Sequence, residues 1–342
     1  MDTFALDKEE NRSEVFTETA RRMGVAPIVI EKDFWVCWTL KRLFSLSTAI
    51  PDLIFKGGTS LSKGYSVIER FSEDIDISLD RAGFGFTGER DPANDKLGNK
   101  KRRYLLVELH DAAAEIVGGD LLTELTDSFV AALGGAEFDL SIDETDKQTL
   151  NFTYPPSLVA DRYGGDYIKS VVRLEFGARS DHLPAEIREI TPYICAEFPG
   201  LLAGPSVSIK TLGAERTFWE KATILHMLFH RDPDKKLGDR MSRHYSDMAR
   251  LIESNVKDKA VADLSLLDAV ALHKTIFFRS GWAKYEEAKP GSLRLSPSPQ
   301  LEQALRVDYQ KMSEMFFSNP PSFDDVLAAI ASLEAEINAF TP

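Results

Sequence analysis

The sequence predicts an α+β fold followed by a helical domain. Two observations carry this: the segments that read as strands are separated by helices early in the chain and meander later, and from Gly213 onward every periodic segment has helical spacing. The N-terminal part opens with two helices over about residues 11 to 46, "NRSEVFTETARRMG" and the more apolar "APIVIEKDFWVCWTLKRLFSL", the second mostly buried. Phe34, Trp35 and Trp38 recur in it at helical intervals and are read as core, as is Trp219 later in the chain. "DLIFKGG" reads as a short strand, and a helix of about two turns is expected from near Thr59. "EDIDISL" then alternates polar and apolar residues, which places Asp74, Asp76 and Ser78 on one face and Ile75, Ile77 and Leu79 on the other. Arg81 to Asn99 is rich in Gly, Asp, Pro and Asn and reads as a loop. Helices are expected over 100–117 and 121–133, then strands at "AEFDLSID", "TLNFTYP" and "IKSVVRLEFGAR". "GAERTFWEKATILHMLFHR", "DRMSRHYSDMARLIES", "DKAVADLSLLDAVALHKTIFF" and "FDDVLAAIASLEAEINAF" are amphipathic helices, so the domains are expected at 1–210 and 211–342.

Composition narrows the class of function. The 342 residues are 43% hydrophobic and 28% charged, with a net charge of −13. A general nucleic-acid coat would be basic, so only local basic clusters such as "KKRRY" at the start of one helix are candidates for RNA contact, and such a run is equally compatible with a solvated face. Cys37 and Cys195 have neither zinc spacing nor the density of a disulfide scaffold, which fits a reducing cytoplasm. The N-terminal segment has acidic and polar residues where a signal peptide needs a basic start and an apolar run, and no window of roughly eighteen uncharged apolar residues follows, so no membrane association is expected.

The chemistry is concentrated in "FKGGTSLSKGYSVIERFSEDIDISLD". Carboxylates at i and i+2 of a strand project side by side and offer hard oxygen ligands to divalent cations. Glu175, the lone acid in "VVRLEFGAR", shares a strand face with Arg173 and Gly177 and is the candidate third acid. "GGTS" at a helix start offers backbone N–H groups to phosphate oxygens, with Thr59 and Ser60 as added hydroxyl donors. The segment matches neither a Walker A loop nor a dinucleotide fingerprint. Blander readings stand beside these. The Asp pair suits a solvated edge strand, Glu175 an ion pair with Arg173 or Arg179, Lys221 the exposed side of a helix, and Arg243 and Asp247 a helix surface. His226 and His230 have the spacing of a helical zinc pair, but no third ligand is evident and a core or surface role is favoured.

"KGGTSLSKGY" with "RFSEDIDISL" resembles the first motif of the nucleotidyltransferase AbiEii/AbiGii toxin family, a branch of the DNA polymerase β-like nucleotidyltransferase superfamily that includes the MenT toxins. "IEKDFWVCWTL" resembles its N-terminal helix, "VVRLEFGAR" its second motif, "ERTFWEKATILH" its third and "RHYSDMARL" its fourth, over about residues 28 to 251. The resemblance implies a mixed sheet flanked by helices and a C-terminal helical domain that contributes a lysine and an aspartate to the active site. It implies metal binding (Mg²⁺ or Mn²⁺) by Asp74, Asp76 and Glu175, and a catalytic set completed by Lys221 and Asp247. Lys56, Gly57, Gly58, Thr59, Ser60, Ser72, Lys221 and Arg243 are the implied nucleotide contacts. The activity implied is transfer of a nucleoside monophosphate from an NTP to an acceptor hydroxyl, the 3′ end of tRNA in MenT members, by a toxin restrained by a cognate antitoxin and acting in growth arrest or phage defence. Alternatives are transfer to a protein or a small molecule, or an NTP-sensing module that acts through protein contacts.

Overall fold

A computed structural model describes residues 1–46, 51–158, 170–312, 315–317 and 320–340. The described residues form two compact units, Met1–Tyr65 with Phe71–Thr211, and Ser66–Arg70 with Leu212–Pro342.

The first unit is built on a seven-stranded mixed sheet of order β3-β4-β5-β2-β1-β7-β6. The strands are β1 (Leu53–Lys56), β2 (Ile75–Leu79), β3 (Asp139–Ile142), β4 (Thr149–Thr153), β5 (Val171–Gly177), β6 (Ala185–Ile190) and β7 (Val207–Leu212). β2 runs parallel to β5, and β1 parallel to β7, while β1–β2, β3–β4 and β4–β5 are antiparallel. The helices are α1 (Asp2–Ala5), α2 (Glu9–Met23), α3 (Pro27–Leu43), α4 (Gly57–Lys63), α5 (Asn99–Ile116), α6 (Leu122–Leu133) and α7 (Ile194–Glu197). Pro27 opens α3 at a position where its missing N–H costs nothing. Trp35 and Trp38 of α3 pack edge-on and stacked against Phe152 of β4, and Trp38 also meets Phe129 of α6. This aromatic layer covers one face of the sheet, and all four rings are fully buried.

Several expectations shift in detail. β6 and β7 were not read from the sequence. Helices 100–117 and 121–133 are joined by a π turn at Val117–Leu121 whose backbone stays helical, so Gly118 and Gly119 do not break the chain. The 81–99 loop contains two short 3₁₀ turns and is anchored by Arg81, which pairs with Asp91 (3.3 Å) and Asp181 (3.0 Å). Ile168 and Lys169 of the strand expected at "IKSVVRLEFGAR" lie outside the described residues.

The second unit is helical: α8 (Ala214–Phe229), α9 (Arg243–Glu253), α10 (Asn255–Ala262), α11 (Ser265–Phe277), α12 (Pro299–Lys311) and α13 (Phe323–Asn338). α8 packs on α9, α10 and α11, and α9 on α13, around Phe218, Trp219, Leu225, Tyr245, Met248 and Ile330. The segment Ser66–Arg70 joins this unit through a β-bridge from Arg70 to Phe316. Among the described residues no helix is long and apolar enough to cross a membrane.

Candidate functional site

In the first unit the strand register assembles a row of polar residues across four neighbouring strands. Thr149 of β4 faces Glu175 of β5, Glu175 faces Asp76 of β2, and Asp76 faces Lys56 of β1. Neighbouring strands lie ~4.8 Å apart, so Asp76 and Glu175 project from adjacent positions of one face. The opposite face takes Ile75, Ile77, Leu174 and Phe176, all buried, as the alternation requires. Asp74 precedes β2 by one residue, and its charge reaches Glu175. Ser78, expected beside them, is fully buried and bonded to His182 (2.8 Å).

The acids of this row repel one another. Burial, then the negative charges of Asp76 and Asp74, push the Glu175 carboxyl above its ordinary value, and Arg173 and Lys56 offset this only in part. Arg173 Nη2 lies 3.4 Å from Glu175 Oε1, so the ion pair that the sequence left open does form, with both side chains over 40% exposed. Such an exposed pair is weak. Three hard carboxylates lying close together are the donor chemistry of a divalent cation. Among the described residues they do not converge as a ready-made cage, but their mutual repulsion is what a bound cation would relieve.

The glycine turn is bound to these acids rather than standing apart from them. α4 begins at Gly57, two residues earlier than expected, after Lys56 in extended conformation. Gly57 has φ +79°, and a Cβ there would fall 2.0 Å from Asp76 Oδ2, so only glycine lets the backbone lie this close to the carboxylate. Thr59 Oγ1 donates to the Asp74 carbonyl (2.5 Å) and is 3.0 Å from Ser72 Oγ, while Ser60 Oγ donates to the Gly57 carbonyl (2.9 Å). Both residues are buried. Their hydroxyls, expected as phosphate donors, are therefore committed to fixing the turn, and Lys56, Gly57, Gly58 and Ser72 are the half-buried members of that set.

The second unit holds the other predicted residues. Asp247 of α9 is 1% exposed and takes Arg70 in a fork, Nε to Oδ1 at 2.7 Å and Nη2 to Oδ2 at 2.8 Å. Lys221 Nζ of α8 donates to the same Oδ2 at 2.7 Å and is itself buried. Lys221 and Asp247 are thus interior groups, not helix surface. Burial raises the Asp247 carboxyl, but the adjoining charges of Arg70 and Lys221 outweigh it and hold Asp247 well below the usual carboxylate range. Arg70 was not read from the sequence; its partner is 177 residues away, and no local pattern signals such a pair. Arg243 opens α9 and is half-buried, and Arg240 precedes the helix with φ +60°. His226 is a satisfied core residue: Nδ1 accepts from Arg294 N and Nε2 meets the Lys284 carbonyl, both at 3.0 Å.

Comparison with known proteins completes the picture. No curated protein sequence is significantly similar to the chain. The structure is similar in fold to MenT4, a nucleotidyltransferase toxin of Mycobacterium tuberculosis H37Rv, with a TM-score of 0.51 at 17% identity over 95% of this chain and 90% of that one. The family model described as "Nucleotidyl transferase AbiEii toxin, Type IV TA system" matches residues 38–329, which takes in the glycine turn, both carboxylate strands and the Lys221–Asp247 cluster. The chain belongs to this AbiEii family and is a nucleotidyltransferase toxin of a type IV toxin–antitoxin system.

Proposed function

We propose that the protein transfers a nucleoside monophosphate from an NTP to the 3′ hydroxyl of tRNA in the cytoplasm, with Mg²⁺ or Mn²⁺ held by Asp74, Asp76 and Glu175. The observation that carries this reading is the register that sets Asp76 beside Glu175 with Lys56 at the end of the row. When bound, the divalent cation supplies Lewis acidity at the α-phosphate and neutralises charge on the departing pyrophosphate. The chain's own groups bind and orient. Lys56, Gly57, Gly58 and Ser72 line the phosphates, and Thr59 and Ser60 keep that turn in shape. Asp247 and Arg70 fix the position of the Lys221 nitrogen. The acceptor hydroxyl attacks the α-phosphorus as the bond to pyrophosphate breaks.

An RNA acceptor is supported by α5, which packs against β5 and exposes Lys100, Lys101 and Arg103 beside Tyr104, itself 64% exposed. Cations interleaved with an aromatic ring suit a phosphate backbone and its bases, even on an acidic chain. By blocking the tRNA end, the reaction would stop aminoacylation, as growth arrest or phage defence requires, and the cognate antitoxin would hold it in check.

The test is incubation of the protein with Mg²⁺, each α-labelled NTP in turn and total tRNA, beside Asp76→Ala. Label in the RNA band from one NTP, lost in the variant, is the expected result. No label from any NTP despite nucleotide binding would overturn the tRNA acceptor and turn the search to proteins and small molecules.

A further inference from the structure

Helix α3 carries Glu31, Lys32 and Asp33 in succession within an apolar run, and all three are buried. Burying an ion costs several kcal/mol that an apolar side chain avoids, so the partners of these three residues matter. Glu31 accepts from the backbone N (2.6 Å) and hydroxyl (2.7 Å) of Ser157. Lys32 Nζ meets Glu73 Oε2 at 2.6 Å, with side chains 4% and 14% exposed. Glu73 directly precedes Asp74. Asp33 Oδ1 holds Lys63 Nζ at 2.6 Å, and its Oδ2 accepts from Tyr193 N at 2.7 Å. Lys63 ends α4 and sits 3.5 Å above the Tyr193 ring. α4 in turn meets both aspartates, through the Thr59 bond to Asp74 and the close approach of Gly57 to Asp76.

We propose that Lys32 and Asp33 are positioning residues for the Asp74–Asp76 pair, Lys32 acting through Glu73 and Asp33 through Lys63 and α4. The inference rests on the reading of those aspartates as metal ligands. Neither residue touches substrate. Stability alone does not account for the two ion pairs, because apolar side chains of similar volume serve a core as well or better. What a short, charged hydrogen bond adds is direction: it fixes where Glu73 and Lys63 lie, and with them the residue before Asp74 and the end of α4. Groups that orient metal ligands in this way contribute about 10–100-fold to metal affinity.

The full-length protein is titrated with Mn²⁺, the free ion being followed by electron paramagnetic resonance, for wild type, Asp76→Ala, Lys32→Arg and the double variant Lys32→Met/Glu73→Leu. Melting temperatures are recorded alongside. The expected result is loss of the Mn²⁺ site in Asp76→Ala and a weakening of about 10–100-fold in the double variant at a melting temperature equal to or above wild type. Lys32→Arg, which keeps the ion pair, is expected to retain most of the affinity. Native Mn²⁺ affinity in the double variant, with Asp76→Ala inactive in binding, overturns the positioning role alone. Absence of Mn²⁺ binding by wild type overturns the metal reading, and this inference with it. Should the double variant fail to fold, the isosteric Asp33→Asn decides on the same criteria, since it keeps an acceptor for Tyr193 N and removes the charge that holds Lys63.

Discussion

The two units treat carboxylates in opposite ways. Asp247 is enclosed between Arg70 and Lys221, each within 2.8 Å, and its charge is more than balanced. Asp74, Asp76 and Glu175 lie close together, half-buried, with burial and then the charges of Asp76 and Asp74 raising the Glu175 carboxyl. In the second unit one buried acid is neutralised by two cations, whereas in the first Arg173 and Lys56 offset the repulsion at Glu175 only in part. The difference supports the proposed reading of the first group as a cation site, while in the second the carboxylate holds Arg70 and Lys221 in place.

The comparison breaks most severely at Asp76. Asp76→Ala removes one carboxylate of the row, and nucleotidyl transfer is expected to fall by about 10³-fold, ~4 kcal/mol of transition-state stabilisation, read in a labelled-NTP assay. The fold should survive, since Asp76 is only half-buried.

Asp247→Asn should do the reverse, with damage to stability as well as activity. Leaving Arg70 and Lys221 buried without their carboxylate costs about 3–5 kcal/mol, measurable by urea unfolding. The pH dependence follows from the depressed pKa of Asp247 in the fold. Its stabilisation is complete above the unfolded value of ~3.9 and is lost as pH falls through the folded value, so the gap between wild type and Asp247→Asn should narrow only below about pH 4.

Gly57→Ala sharpens the account of the row itself. The added methyl would displace the Asp76 carboxylate, and misplacement of a reacting group by about 1 Å lowers turnover by roughly 10²-fold. The positive φ adds at least about 1 kcal/mol of destabilisation. Thr59→Val is milder: loss of the bond to the Asp74 carbonyl is expected to cost about 1 kcal/mol in thermal unfolding, with a smaller loss of activity than Gly57→Ala.

The legibility of these features in the sequence follows their range. Strict alternation at Ile75–Leu79 and Val171–Gly177 exposed the carboxylate face directly, because one buried face forces period two. The helix expected from near Thr59 begins at Gly57, where glycine answers to a tertiary demand, the close approach to Asp76. The edge strand Ala185–Ile190 mixes Glu and Arg with its apolar residues and gave no clean period. Arg70 with Asp247 and Lys32 with Glu73 join residues distant in sequence, and single-sequence patterns carry no signal for such pairs. The burial of Lys221 was hidden for the same reason, since its amphipathic helix gives no sign that the polar side is also covered.

The most direct test of the contrast is the melting temperature of wild type and Glu175→Gln, each with EDTA and with Mg²⁺. The folded pKa of Glu175 is raised, so its ionised form costs stability at neutral pH, and that cost vanishes below its unfolded pKa. Without metal, Glu175→Gln should therefore melt at or slightly above wild type, and Mg²⁺ should raise wild type while moving the variant much less. A wild type indifferent to Mg²⁺, or a Glu175→Gln variant that melts well below it in EDTA, would contradict the claim that these carboxylates are arranged for a cation.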